Sequence, residues 1–156
     1  MKKILILSVL LLLTTATANA RIADERIALG GIYVGQSASE VDAIYGKPGD
    51  ISRSKANAAV MYYNYRNNGT NFHISFRDNI VTDVNVEGNN GIATPDGIKV
   101  GTPKEEVLKI LGTPDKYDKG TQVPDSAYLA YNRASGKYGN LDIEIRYGKV
   151  FRIAIF

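Results

Sequence analysis

The chain has 156 residues, 22% of them charged, with no cysteine, no tryptophan and one histidine. The lack of cysteine excludes disulfides, thiol catalysis and cysteine-based metal sites, and a lone histidine leaves no ordinary zinc or copper constellation. The formal net charge is +3, but no Lys/Arg cluster stands out, so nucleic acid is not an expected partner.

Residues 1–20 read as a secretory signal. Met1-Lys2-Lys3 is a basic start, Ile4 to Leu13 is an apolar run broken only by Ser8, and Ala18-Asn19-Ala20 is a small-x-small cleavage site. The run falls short of the roughly 20 residues of a membrane span. No cysteine stands at the cleavage point to take a lipid, so the expectation is a secreted or periplasmic protein with no stable membrane anchor. Losing Lys2 and Lys3 leaves 17 basic residues against 16 acidic ones, a net charge of +1.

From residue 31 the chain says the same thing twice. Gly31-Ile32-Tyr33-Val34-Gly35 leads to Glu40, Val41, Ile44, Gly46 and Pro48; Gly97-Ile98-Lys99-Val100-Gly101 leads to Glu106, Val107, Ile110, Gly112 and Pro114, each 66 positions on. Such a period predicts two small units of one architecture, the first over 21–91 and the second over 92–156. In the first, Ser37-Ala38-Ser39-Glu40 is a capping box, Val41, Ile44 and Tyr45 form an apolar stripe, and Gly46 and Pro48 stop the helix. In the second, Thr102 is the expected cap, Pro103 the first helical residue and Glu105 the partner in the box, with Val107, Ile110 and Leu111 as the stripe and Gly112 and Pro114 as the stop.

Strands follow each helix. Val60 to Tyr65 and Ala127 to Asn132 carry paired tyrosines, Tyr62 with Tyr128 and Tyr65 with Tyr131. Asn71 to Arg77 and Leu141 to Tyr147 alternate strictly, as strands buried on one face do. Here the offset grows to 69, placing three extra residues in the loop around Gly136 to Gly139. Asn68-Gly69, Asp78-Asn79 and Tyr147-Gly148 read as turns. Last strands run through Val81, Val84 and Val86, and through Val150, Ile153 and Ile155. Each unit therefore reads as a helix followed by a three-stranded antiparallel meander, an α+β fold. Glu87 to Asp96, with Gly88-Asn89-Asn90-Gly91 and Pro95, is loop chemistry between them.

The string Gly-Ile-x-Val-Gly, a capped Glu-Val-x-x-Ile helix and Gly-x-Pro resembles the repeat of the BamE (SmpA/OmlA) and β-lactamase-inhibitor-protein superfamily, over almost the whole chain after residue 20. The resemblance implies two repeats joined into one curved sheet with the helices behind it. It also implies a function: gripping another protein with the sheet, as an inhibitor of an extracytoplasmic enzyme or, alternatively, as a cell-envelope assembly accessory.

No catalytic constellation assembles from the residues. His73 lies between Phe72 and Ile74 and points outward, with no evident partner for general-base work. Asp142 and Glu144 share the outer face of one strand, where alternate charges are the default, with Arg146 to balance them. The glycines form no phosphate loop, and no serine sits in a nucleophile elbow. Neither catalysis nor a cofactor nor a metal is expected. The ten tyrosines are the compositional signal with functional reach, because tyrosine is enriched at binding surfaces. Leu129 and Tyr131 should face the helix, so Tyr128 and Ala130 face out. The candidate partner-binding set is Tyr62, Asn64, His73, Arg77, Tyr128, Glu144 and Arg146, with Ser75 and Tyr33 beside it.

Overall fold

The computed structural model describes residues 21–67, 70–137 and 139–156. The expected signal segment and the expected Asn68-Gly69 turn lie outside the described residues. In chain order come a 3-10 turn (Asp24–Arg26), α1 (Ala38–Tyr45), β1 (Asp50–Arg53), β2 (Val60–Asn67), β3 (Thr70–Arg77) and β4 (Ile80–Glu87). Then follow α2 (Lys104–Leu111), β5 (Lys116–Lys119), β6 (Ala127–Asn132), β7 (Asn140–Arg146) and β8 (Lys149–Ile155). The fold is mixed α+β, and no helix of the described residues is long and apolar enough to cross a membrane.

The α1 capping box forms as expected. The Ser37 hydroxyl accepts from the Glu40 amide, and the Ser37 amide donates to the Glu40 carboxylate at 2.8 Å. Gly46, at φ 69°, ends the helix in the region that side chains avoid. The second helix departs from expectation. Pro103, not Thr102, holds the cap position, and no side chain caps α2. The Thr102 hydroxyl is turned back to accept from the Lys99 amide at 3.1 Å, and the Lys104 amide donates to the Gly148 carbonyl. The β7–β8 turn supplies an acceptor that sequence would assign to a cap.

Among the described residues eight strands form one antiparallel sheet in the order β1-β2-β3-β4-β8-β7-β6-β5. The last strands of the two halves meet at the middle of the sheet, where Val84 and Val86 of β4 lie opposite Ile155 and Ile153 of β8. Each half carries four strands, not three. The additional β1 and β5 lie at the two sheet edges, and all four residues of each are exposed. A strand with no buried face shows no apolar alternation, and the charged side chains of Asp50, Arg53, Lys116, Asp118 and Lys119 suit an edge that must not pair further.

Register shifts occur between Ser75 and Phe76 and again between Glu144 and Ile145, 69 positions apart. They explain why the last strands place apolar residues at Val81 then Val84, and at Val150 then Ile153, rather than at every second position. The turns at Asp78-Asn79 and Tyr147-Gly148 hold both residues at positive φ, as two-residue hairpins require. One apolar cluster unites both halves, joining Val41 of α1 and Val107 and Leu111 of α2 to Phe72, Ile74, Leu129, Ile143 and Ile153 of the sheet.

Candidate functional site

The strand register sets the residues between the apolar ones into rows across the sheet. One row runs Asp50, Asn64, His73, Asn85, Ala154, Asp142, Ala130, Lys116. The next runs Arg66, Asn71, Glu87, Arg152, Glu144, Tyr128, Asp118. A short third row holds Ser52, Tyr62, Ser75 and Asp83. Tyr62, Asn64 and His73 are thus brought together on one half, and Tyr128, Glu144 and Arg146 on the other.

On the first half, His73 is not a free surface imidazole. Its Nδ1 lies 2.7 Å from Asn64 Oδ1 and its Nε2 lies 3.1 Å from Ser75 Oγ. An amide oxygen only accepts, so Nδ1 carries a proton in this arrangement. The Tyr62 ring stacks on the imidazole with centroids 5.5 Å apart, and the Ser75 hydroxyl donates to Asp83 at 3.3 Å. Burial raises the Asp83 pKa, opposed by His73, the Ser75 hydrogen bond and Arg152. Asn64, His73 and Ser75 stand in the order of an amide-oriented base and a hydroxyl nucleophile. Ser75 directs its proton to the Asp83 carboxylate, and the strand amides around it lie within paired β-ladders, whereas an oxyanion needs free donors.

On the second half, Glu144 accepts from Arg146 at 2.7 Å (Nε) and 2.6 Å (the terminal nitrogen), with Arg152 3.6 Å away. The Arg146 guanidinium lies 3.7 Å over the Phe151 ring, which holds it flat. Asp142 corrects the expectation of a solvated pair balanced by Arg146: it is 4% exposed. The Tyr128 hydroxyl donates to it, as does Asn140 at 3.1 Å. Burial and that carboxylate together push the Tyr128 pKa up to about 12. Ala130, expected to face out, is buried as well.

A shallow concavity of about 400 Å³ opens beside this cluster, walled by Tyr128, Glu144, Arg146 and the 118–127 loop. A smaller one of about 230 Å³ lies over Asn64 and His73. Arg77 is exposed beside the β3–β4 turn, and no side-chain hydrogen bond or ion pair among the described residues joins it to the rest. Tyr33 is exposed in the turn before α1, where its amide donates to Gln36.

Sequence reasoning missed Asp83, Phe151 and Arg152. The offset of 69 that matches β3 to β7 also carries Asp83 to Arg152, a signal that was present but unread. Among the described residues no group of three or more His, Cys, Asp or Glu could hold a metal ion.

Residues 34–138 match the family model described as CAP-associated N-terminal, and the chain belongs to that family. In overall fold it is similar to a cysteine-rich secretory protein from Staphylococcus aureus, at a TM-score of 0.53 and 13% identity over 80% of this chain. The match takes in only 43% of the staphylococcal chain. A Streptococcus mutans protein provisionally described as a β-lactamase inhibitor protein also matches, at a TM-score of 0.36 and 14% identity, over 78% of this chain and 83% of that one. No curated protein matches the chain.

Proposed function

We propose that this chain is a non-catalytic binding module, working outside the cytoplasm after loss of residues 1–20, that grips another protein with the polar face of its sheet. Two repeats sharing one sheet, with both helices behind it, leave that face open for a partner. The observation that carries the reading is the pairing of a stiff aromatic with a held polar group on each half: Tyr62 on His73, and Tyr128 beside the Arg146–Glu144 fork. Rigid aromatics and pre-oriented arginines lose little freedom on binding and supply most interface energy. The sharpest form of the proposal is an inhibitor of an extracytoplasmic enzyme; an envelope-assembly accessory is the alternative that the sequence resemblance leaves open.

The test is capture on immobilised residues 21–156 from the source organism's extracytoplasmic fraction, followed by affinity measurements with the captured protein. A single hydrolase that loses activity when bound supports the inhibitor form, and envelope-assembly proteins support the accessory. Tyr62→Ala should weaken binding by about 2 kcal/mol, roughly 30-fold. A partner that binds Tyr62→Ala and Arg146→Ala as tightly as the parent chain would overturn the choice of face.

A further inference from the structure

The outer end of β6 and the outer end of β2 hold matching places in the sheet, and they are finished differently. Asn132 of β6 lies opposite Asn140, and Arg66 of β2 lies opposite Asn71, at offsets of 66 and 69. Each runs past the start of its edge strand, because β5 begins opposite Ala130 and β1 opposite Asn64.

At Asn132 the edge is closed. Its amide donates to the Asp115 carboxylate at 2.8 Å. Its carbonyl accepts from Ile22, and Ile22 in turn accepts from the Ala134 amide. The N-terminal segment thus adds a parallel bridge between Ile22 and Arg133, and the Ile22 side chain, 2% exposed, joins the core.

At Arg66 neither closure is present among the described residues. Gly49 stands 66 positions before Asp115 and offers no carboxylate. The stretch leading into the second half leaves the sheet at Glu87, paired with Asn71 and Arg152; it flanks this place through Asn90 and Ile92, and among the described residues it makes no backbone bridge to Arg66. In that place lies a groove of about 610 Å³. Tyr45, Tyr65 and Phe72 form its apolar side, Asn90 and Ile92 one wall, and Arg66 and Asp50, 3.9 Å apart, its polar rim.

We infer that this groove is a docking site for an extended peptide segment of a partner protein, adding in parallel to the β2 edge at Arg66 and burying a branched aliphatic side chain against Tyr45, Tyr65 and Phe72. The matching edge of the second half defines the occupant: there a short N-terminal segment makes one parallel bridge at Ile22, isoleucine inward, just before the Asp24–Arg26 turn. Strand addition of this kind draws affinity from main-chain hydrogen bonds and selectivity from the side-chain pocket. The site lies apart from the Tyr128 face and does not depend on it.

The experiment uses residues 21–156, isotopically labelled, and a blocked synthetic heptapeptide with the sequence of residues 21–27, titrated while backbone amide shifts are followed. A second peptide carries serine in place of Ile22. The expected result is saturable shifts at Tyr65, Arg66, Asn90 and Ile92 with the first peptide and binding at least about tenfold weaker with the second. Gly49→Trp provides the blocking variant. Gly49 lines the groove at an ordinary φ, and a Cβ there would meet nothing within 4 Å, so the fold should survive while peptide binding is lost. Shifts confined to Asn132 and Arg133 would mean that the peptide merely exchanges with the chain's own Ile22, and would overturn the site. No saturable shift, or the same amides shifted by a neutral oligosaccharide and not by the peptides, would overturn it too.

Discussion

Tyr62 and Tyr128 stand 66 positions apart at matching places in the sheet, yet the loss of a hydroxyl should be felt at only one of them. The Tyr128 hydroxyl donates to the buried Asp142, whose remaining side-chain donor is Asn140. Tyr128→Phe strips a hydrogen bond from a desolvated carboxylate and should cost about 1–3 kcal/mol in urea unfolding. Tyr62→Phe should fall within about 0.5 kcal/mol; equal costs would contradict the Tyr128–Asp142 bond. Asp83 tests the opposite half. Burial raises its folded pKa above the ordinary 3.8, so the folded state holds the proton more tightly than the unfolded one. The stability it confers is full below the ordinary value and is lost as pH rises through the raised one. Asp83→Asn keeps an acceptor for Ser75 and removes the titration. It should flatten the fall in stability as pH rises above the ordinary carboxylate value. An unchanged stability–pH profile would remove Asp83 from that role.

The two helices look alike in sequence and begin in different ways. Ser37 and Glu40 close a reciprocal box on α1, so Ser37→Ala should cost about 1 kcal/mol and speed amide exchange in the first turn of α1. In α2 the same substitution at Thr102 should leave the helix amides protected, because Lys104 is held by the Gly148 carbonyl. It should loosen the 99–102 turn instead, where the Thr102 hydroxyl accepts from Lys99. Exchange that quickens first in α2 on Thr102→Ala would show that Thr102 caps it after all. The edge strands β1 and β5 tell a similar story: their backbones pair along β2 and β6 while their side chains stay in water.

The halves meet along β4 and β8, and one apolar cluster serves both. Ile153 lies at that seam, fully buried and opposite both Val86 and Ile143. Ile153→Ala should cost about 2–5 kcal/mol by transfer and cavity terms. Probes placed in either half should still unfold together, since one apolar cluster spans both halves. Two separate transitions, or a stably folded fragment ending at residue 91, would show that the cluster divides.

Local pattern was enough for both helices, six of the eight strands, the turns at Asp78-Asn79 and Tyr147-Gly148 and the outward placement of Tyr62, His73 and Tyr128. Those features follow from periodicity, capping and turn chemistry within a few residues. It could not reveal β1 and β5, whose exposed side chains carry no period, nor the register shifts that break the alternation at Val81 and Val150. Nor could it show that Asp142 is buried under Tyr128, that Thr102 serves a turn and not a helix, or that the β6 edge is closed by Ile22 while the β2 edge stays open. Most of these depend on a partner beyond the local window: Asp142 lies 14 residues from Tyr128, and the Lys104 amide is held by Gly148. Sequence by itself determined where both helices and the six strands with a buried face form, because periodicity, caps and turns are properties of a short stretch of chain. Only the tertiary structure decided which polar groups are buried, which edges are covered and where a groove remains, because those depend on what the rest of the chain can reach.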